Sequence, residues 1–187
     1  MNLILFGPPG AGKGTQSKYL VKKLDAFQIS TGDMLRDEIQ SNSEIGKKII
    51  DDMNDGKFVS DYIVNELIKN VIFDPQKKGK LIFDGYPRSL SQAKNLDSLM
   101  EKSNQKIDFI FFLNVNKDTI IQRVEKRKIL EKRSDDESNT ILKRYETYME
   151  TTKPVLDFYS KNSNFYEIDG SLEINKITAK IDAFLNV

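Results

Sequence analysis

The sequence predicts an α/β fold whose core is a five-stranded parallel sheet flanked by helices. Short, continuously apolar segments alternate along the chain with longer segments whose apolar residues recur at helical spacing. No two apolar segments are joined by a tight hairpin turn, and parallel strands need long helical crossovers instead. Continuously apolar strands are typical of a sheet that helices cover on both faces.

The predicted strands and helices follow one another in a regular order. We expect strands over residues 3–6, 27–30, 81–83, 109–113 and 165–168. We expect helices over residues 14–24, within the polar stretch 31–58, around 63–72, and over 90–100, 119–126 and 174–185. After the charged stretch 125–137, one long helix should carry an inner face made of Ile141, Tyr145, Tyr148, Met149, Leu156 and Tyr159.

The composition restricts the class of protein. The 187 residues suit one compact domain with a small insertion, and 39% hydrophobic residues supply a sizeable core. A net charge of +1 argues against nucleic acid or a membrane surface as partner, because proteins that bind these usually carry a basic excess. The N-terminus resembles a strand rather than a signal peptide, and no apolar run could span a bilayer. We therefore expect a cytoplasmic protein.

Two residue types are missing, and a third is rare. The chain has no cysteine and no histidine, which excludes disulfides, thiolate zinc sites and nucleophiles activated by histidine. Catalysis would have to depend on positioning, electrostatics, carboxylates or lysine. Arginine, whose planar fork suits bidentate binding of anions, makes up only six of the 29 cationic residues. The six are Arg36, Arg88, Arg123, Arg127, Arg133 and Arg144.

A glycine-rich segment, residues 7–15, joins the first predicted strand to the first predicted helix. Glycines let backbone N–H groups approach phosphate oxygens closely, and the start of a helix adds partial positive charge. Lys13 can reach the β- and γ-phosphates of a nucleotide. The segment predicts a P-loop NTPase fold, although Gly14 stands where the usual motif has Ser or Thr, and Thr15 follows it. The residues expected around the phosphates are Gly10, Ala11, Gly12, Lys13, Gly14 and Thr15.

Beyond this loop, the chain resembles adenylate kinases over essentially its whole length. The matching segments are residues 7–16, 30–36, 57–59 and 83–88, Gln92, residues 133–136, and Arg144. The resemblance implies reversible phosphoryl transfer between ATP and AMP with Mg²⁺, without zinc, by a monomer whose substrates are ATP, AMP and ADP. The attacking phosphate oxygen is already ionised at neutral pH, so no general base is needed, and cationic groups stabilise the transferring phosphoryl group.

The resemblance also implies a role for particular residues. Besides the phosphate loop, the implied ATP-binding residues are Arg123, Arg127 and Gly170. The implied AMP-binding residues are Thr31, Arg36, Lys57, Phe58, Val59, Gly85, Tyr86, Pro87, Arg88, Gln92, Arg133 and Arg144. The implied catalytic residues are Lys13, Asp84, Arg88, Arg127, Arg133 and Arg144. Asp84 would orient magnesium-bound water, and no protein side chain would bind the metal directly.

The resemblance further implies a single core domain, residues 1–187, that includes two mobile segments. An insert for the nucleoside monophosphate (NMP) would span residues 30–59, and a short lid would span residues 126–136. Thr31 and Gln92 favour AMP as the acceptor, since a glutamine amide can both donate to and accept from the adenine edge. A UMP/CMP kinase of the same family remains the alternative.

Two readings from other classes fit the phosphate loop but not the rest of the chain. A GTPase-type switch needs an Asp-x-x-Gly segment, and no glycine has aspartate three positions earlier. A non-catalytic nucleotide-binding module would not need Lys13, Asp84 and the arginines together. A turnover assay would separate such a module from an enzyme.

Overall fold

The computed structural model describes the backbone of residues 1–131 and 138–186, with the side chains of these residues except 128–131 and 138–139. Its five strands are all parallel and lie in the order β2-β3-β1-β4-β5. They are β1 (Leu3–Phe6), β2 (Phe27–Ser30), β3 (Leu81–Asp84), β4 (Phe109–Asn114) and β5 (Phe165–Asp169). The predicted fold class and every predicted strand are therefore confirmed.

Helices connect the strands and cover the sheet. They are α1 (Lys13–Leu24), α2 (Thr31–Gln40), α3 (Glu44–Asn54), α4 (Asp61–Ile72), α5 (Leu90–Lys102), α6 (Lys117–Glu131), α7 (Ser138–Thr147), α8 (Lys153–Tyr159) and α9 (Ile174–Leu185). A 3₁₀ turn spans Pro75–Lys77. Among the helices that the structure describes, none is long and apolar enough to cross a membrane.

The central strand β1 is buried on both faces, because successive side chains of a strand point in opposite directions. Ile4 and Phe6 belong to one apolar cluster, which α4, α5 and α8 complete. Leu3 and Leu5 belong to a second cluster on the other face, which α1, α6 and α9 complete. All four side chains are at most 2% exposed, which explains why β1 is continuously apolar.

The strand order creates a crevice at one end of the sheet. β1 lies between β3 and β4. The chain therefore runs from β1 to β2 and β3 on one side of it, and then crosses to β4 and β5 on the other side. In open parallel sheets, ligands bind outside the carboxyl ends of the strands at such a switch point. The glycine-rich loop directly follows β1, and Asp84 is the last residue of β3.

The predicted long helix after residue 137 is present, since α7, a π-helical turn (Tyr148–Thr152) and α8 follow one another without a break. The regular helical spacing that predicted its inner face is wrong at the π-helical turn. Pro154 has no N–H group and cannot continue the regular α-helical ladder, and the N–H of Lys153 bonds the Tyr148 carbonyl five residues earlier. Met149 lies in this turn and is 38% exposed, so its predicted place on the inner face is also wrong. The other predicted inner-face residues are buried or partly buried against the core, namely Ile141, Tyr145, Tyr148, Leu156 and Tyr159.

Helices α2 and α3 pack with unusually close backbones at Gly46. Ser43 caps α3 by accepting from the N–H of Gly46, and a Cβ built on Gly46 would lie 2.1 Å from the carbonyl oxygen of Glu38. No side chain fits there unless the two helices separate. Gly46 therefore sets the packing of the helical segment that follows β2.

Gly46→Ala should destabilise the protein by about 2 kcal/mol, because the added methyl group collides with backbone rather than with a movable side chain. Thermal unfolding should show a midpoint lower by roughly 5 °C. Lys47→Ala, which changes an exposed neighbour in the same helix, is the control and should leave the midpoint nearly unchanged. A Gly46→Ala midpoint equal to that of the control would contradict the close packing of α2 on α3.

Candidate active site

A cleft of about 950 Å³ opens at the carboxyl ends of β1 and β3. It is bounded by the phosphate loop, the start of α2, the loop after β3, and parts of α6, α7 and α9. Many residues predicted from the sequence lie together on its wall. They are Gly10, Ala11, Gly12, Lys13, Gly14, Thr15, Arg36, Asp84, Gly85, Arg88, Arg123, Arg127 and Arg144.

The phosphate loop ends at the first turn of α1 and presents backbone rather than side chains. Gly12 is the N-cap of α1, and no side chain caps the helix there. Its φ of 94° suits glycine, and a Cβ on Gly12 would meet nothing within 4 Å. The first N–H groups of α1 thus face an open space with the positive end of the helix dipole behind it, which is a favourable place for an anion.

The Lys13 ammonium group folds back over this loop. Its Nζ donates to the carbonyl oxygens of Gly7 at 2.7 Å and Pro8 at 3.0 Å. Burial lowers the Lys13 pKa from 10.5 to about 8, and the nearby Asp84 carboxylate partly opposes that effect. A polyanion in the cleft would favour the charged form and draw Nζ away from the carbonyl groups.

Asp84 is buried at the end of β3, where its Oδ2 accepts a hydrogen bond of 2.9 Å from Nε2 of Gln28. Burial raises its pKa, while Lys13 and the Gln28 hydrogen bond act in the opposite direction. A Cβ on Gly14 would lie 3.5 Å from Oδ2. The missing side chain at position 14 therefore leaves room beside the carboxylate at the start of α1.

Hydrogen bonds and a ring contact hold the Arg88 side chain from several directions. Its Nε donates to the Gly85 carbonyl at 2.6 Å, and an Nη donates to Thr31 Oγ1 at 3.2 Å. The guanidinium carbon lies 5.1 Å from the centre of the Phe58 ring, within the range of a cation–π interaction. These contacts fix the plane of the fork.

The other described arginines reach the cleft from different elements. Arg36, on α2, forms an ion pair with Asp33. Arg123, on α6, donates to the carbonyl oxygen of Gly170 at 2.7 Å and has longer bonds to those of Ser171 and Leu172. Arg127 and Arg144 add two more cations to the wall. The cleft therefore concentrates positive charge in a protein whose net charge is only +1.

A smaller pocket of about 40 Å³ adjoins the cleft and shares Gly32, Arg36, Arg88 and Arg144 with it. Lys57, Phe58 and Val59, predicted to bind the monophosphate, line this pocket. The structure thus brings the segment after α3 to the same arginines that line the larger cleft.

Five of the predicted site residues lie behind the cleft wall, namely Thr31, Tyr86, Pro87, Gln92 and Gly170. Thr31 Oγ1 donates to the Gly85 carbonyl at 2.9 Å, and Tyr86 is fully buried. Gln92 is 2% exposed, and its amide accepts from the N–H of Arg88 and donates to Asp61. The Gly170 carbonyl accepts from Arg123. Most of these residues support side chains that do reach the cleft.

Arg133 and the second half of the predicted lid, residues 132–136, lie outside the described residues. The first part of the predicted lid belongs to α6, which extends to Glu131. Among the side chains that are described, no group of three or more His, Cys, Asp or Glu could hold a metal ion. Asp84 is a carboxylate on the cleft wall, so a divalent cation carried in by a polyphosphate would fit beside it.

Sequence reasoning missed several residues that line the cleft, including Gln28, Leu172, Ile174 and Ile177. Gln28 is a polar residue within a short strand, a signal that could have been noticed. Ile174 begins α9 and is 58% exposed, which places an apolar side chain on the cleft wall. No sequence pattern distinguishes Leu172 or Ile177 from ordinary core residues.

Comparison with known proteins agrees with this geometry. The family model for adenylate kinase matches residues 5–164. Adenylate kinase from Pelagibacter ubique (strain HTCC1062) is 46% identical over 213 aligned positions, with all of both chains covered. Adenylate kinase from Caulobacter sp. (strain K31) is 41% identical over all of this chain and 99% of the relative. Adenylate kinase from Mycoplasma capricolum is 40% identical over 90% of this chain and 91% of the relative. This chain therefore belongs to the adenylate kinase family of phosphotransferases, the enzymes that act as nucleoside monophosphate kinases.

Proposed function

We propose that this enzyme catalyses ATP + AMP = 2 ADP with Mg²⁺. The observation that carries the proposal is one continuous cleft in which a phosphate loop with Lys13 faces arginines from α2, the β3 loop, α6 and α7. Its volume of about 950 Å³ is at the upper end of the range for small-molecule sites. Two nucleotides would meet there with their phosphates toward the shared cations.

The chemistry would depend on charge and position. ATP would place its β- and γ-phosphates over the N-terminus of α1, with Lys13 and Arg127 beside them. The AMP phosphate would be held by Arg36 and Arg88, and Arg144 and Arg133 would neutralise the transferring group. An oxygen of AMP attacks phosphorus as the bond to the ADP leaving group breaks. The attacking oxygen carries no proton at neutral pH, so a chain without histidine lacks nothing that this reaction needs.

Asp84 supports the proposed use of Mg²⁺. When bound with ATP, the ion supplies positive charge that offsets the phosphate oxygens. Asp84 would orient water around it, and Gln28 would hold the Oδ2 of that carboxylate in place. Thr15, at the start of α1, is the nearest hydroxyl in the loop sequence to the position usually occupied by a magnesium-binding Ser or Thr.

AMP is the proposed acceptor. The small pocket around Phe58 and Val59 adjoins Arg88, and at about 40 Å³ it would have to widen before a base could lie there with its phosphate at the arginine. The Gln92 amide uses one donor and one acceptor position within the protein, which leaves one N–H and one lone pair for an adenine edge. Because this side chain is 2% exposed, that pairing requires it to be uncovered as the base enters.

Closure around the two nucleotides is part of the proposal. The NMP insert, residues 30–59, and the lid, residues 126–136, would move on a core formed by the rest of the monomer and exclude water from the phosphoryl group. Thr140 on α7 donates to the carbonyl oxygen of Asn54 at 3.4 Å. Gly56 also lies against α7, since a Cβ there would be 3.0 Å from the carbonyl oxygen of Thr140. These contacts join the insert to α7, which directly follows the lid in the chain, so movement of the insert would have to break or carry them.

The decisive experiment offers Mg-ATP with AMP, CMP, UMP or GMP in parallel and separates the products by chromatography. Rapid ADP formation with AMP, and little transfer to the other monophosphates, is the expected result. Preference for CMP or UMP would keep the mechanism but overturn the assignment of the acceptor. If no monophosphate accepts the phosphoryl group, the proposed reaction is wrong.

ATP affinity should depend on pH through Lys13. The free protein holds this amine with a lowered pKa of about 8, whereas bound phosphates favour the charged form and raise it. Above pH 8 the free Lys13 amine is largely neutral, so it must take up a proton when ATP binds. Well below pH 8 the amine is already charged, and binding requires no proton. We expect the dissociation constant of Mg-ATP to rise about five- to tenfold between roughly pH 7.5 and pH 9, as measured by titration calorimetry. Lys13→Met should bind weakly at both values, and equal pH dependence in that variant would implicate another group.

A further inference from the structure

Thr152 is a buried polar residue on the far side of the cleft wall. It is 4% exposed, and its hydroxyl group donates to the carbonyl oxygen of Arg88 at 3.0 Å. It ends the π-helical turn between α7 and α8. The hydrogen bond therefore joins the helical segment after residue 137 to the loop that follows β3.

This hydrogen bond completes a set that holds Arg88 from several directions. The backbone N–H of Arg88 donates to Oε1 of Gln92 at 2.7 Å, and Gln92 is in turn held by Asp61. The side chain Nε donates to the Gly85 carbonyl at 2.6 Å. With Thr152 on the carbonyl oxygen, the N–H, the C=O and the guanidinium group of Arg88 each have a described partner. A fork held in this way loses little entropy when it binds an anion.

The π-helical turn determines where the hydroxyl group lies. An extra residue in a helical turn rotates the residues after it relative to a continuous α-helix, and such turns occur frequently at functional sites. The neighbouring Thr151 donates to the carbonyl of Thr147 at 2.6 Å, within the helix, whereas Thr152 reaches another element. Arg144 lies on α7 and lines the same cleft as Arg88. Thr152 thus ties the helix that carries one cleft arginine to the backbone of another.

We infer that Thr152 is a positioning residue for the monophosphate: its hydroxyl group holds Arg88, and through the π-helical turn it fixes Arg88 relative to Arg144. The inference rests on the proposed function, because it assigns the phosphate of AMP to Arg88. Thr152 does not line the cleft and acts only through Arg88. Loss of the hydroxyl group should therefore weaken AMP binding and leave ATP binding at the phosphate loop unchanged.

The test compares Thr152→Val, which keeps the shape and removes the donor, with wild type in steady-state assays of both substrates. We expect KM for AMP to rise about five- to tenfold, as for loss of one buried hydrogen bond, with KM for ATP within about twofold of wild type. Thr151→Val is the matched control, since its hydroxyl group bonds only within its own helix in the described contacts. It should leave both constants unchanged.

Thr152→Ser separates positioning from packing, because it keeps the hydroxyl group and loses a buried methyl group. It should melt at a lower temperature but retain the wild-type KM for AMP. The inference is overturned if Thr152→Val changes neither KM, if both KM values rise together, or if Thr152→Ser raises KM for AMP as much as valine does. Wild-type protein that makes no ADP from AMP would instead contradict the proposed function itself.

Discussion

Replacing Lys13 with methionine should lower kcat/KM for ATP by about a thousandfold. Methionine has a similar length but no charge, so the variant loses the ammonium group that would follow the phosphoryl group as negative charge shifts in the transition state. Loss of one such electrostatic group typically costs a factor of about 10² to 10³. The backbone N–H groups at the start of α1 remain, so residual activity should persist.

The measurement is a full kinetic analysis with both substrates varied, together with a melting curve. The described hydrogen bonds of Lys13 to the Gly7 and Pro8 carbonyls are lost as well, but burial disfavours the charged amine in the folded protein and lowers its pKa, so we expect the melting temperature to stay unchanged or to rise. Lys22→Met removes the same charge from an exposed position of the same helix, and it should retain wild-type kinetics. A Lys13→Met enzyme within tenfold of wild type would contradict the role given to Lys13.

The sheet and the phosphate loop could be predicted from sequence because each is governed by local chemistry. A strand covered on both faces must be apolar at every position, which made β1 recognisable from four residues. The loop needs glycines and a lysine at fixed spacing, because only they combine close backbone approach with a charge at the right distance. The order of the strands, in contrast, depends on the packing of helices that are distant in sequence.

The π-helical turn between α7 and α8 shows what the spacing of apolar residues does not predict. The apolar spacing from Ile141 to Tyr159 fits one helix, and four of the six expected inner-face residues are indeed buried. Pro154 was the visible signal, but a proline can begin a new helix as readily as it ends an old one. Only the contacts of the π-helical turn with the loop after β3 reveal that Thr152 faces Arg88.

The residues of the candidate site also divide into those whose place can be predicted from the sequence and those whose place only the structure shows. Lys13 and the described arginines were predicted by charge and motif, and the structure places them on one wall. Gln92 and Thr31 have hydroxyl or amide groups that serve the protein's own hydrogen bonds. A sequence does not distinguish a polar group that contacts a ligand from one that holds its neighbour, because both need the same chemistry. Their proposed contacts with the base therefore need the monophosphate comparison.

Replacing Arg88 with lysine should lower kcat/KM for AMP by about a hundredfold, although the charge is kept. Lysine is a point charge on a flexible chain, so it would lose the bond from Nε to the Gly85 carbonyl, the bond to Thr31, and the planar contact with Phe58. A bidentate grip on the phosphate becomes a single contact, and the effect should appear chiefly in KM for AMP.

Comparison of Arg88→Lys with Arg88→Ala separates charge from geometry. If the fork matters more than the charge, the two variants should lie within about tenfold of each other and well below wild type, with ATP affinity by calorimetry unchanged in both. If Arg88→Lys instead kept wild-type kinetics, positive charge alone would suffice at this position. The side-chain bonds of Arg88 to the Gly85 carbonyl and to Thr31 would then have no consequence for AMP. Lysine keeps the backbone N–H and carbonyl that Gln92 and Thr152 hold, so the Thr152→Val comparison tests that part of the positioning separately.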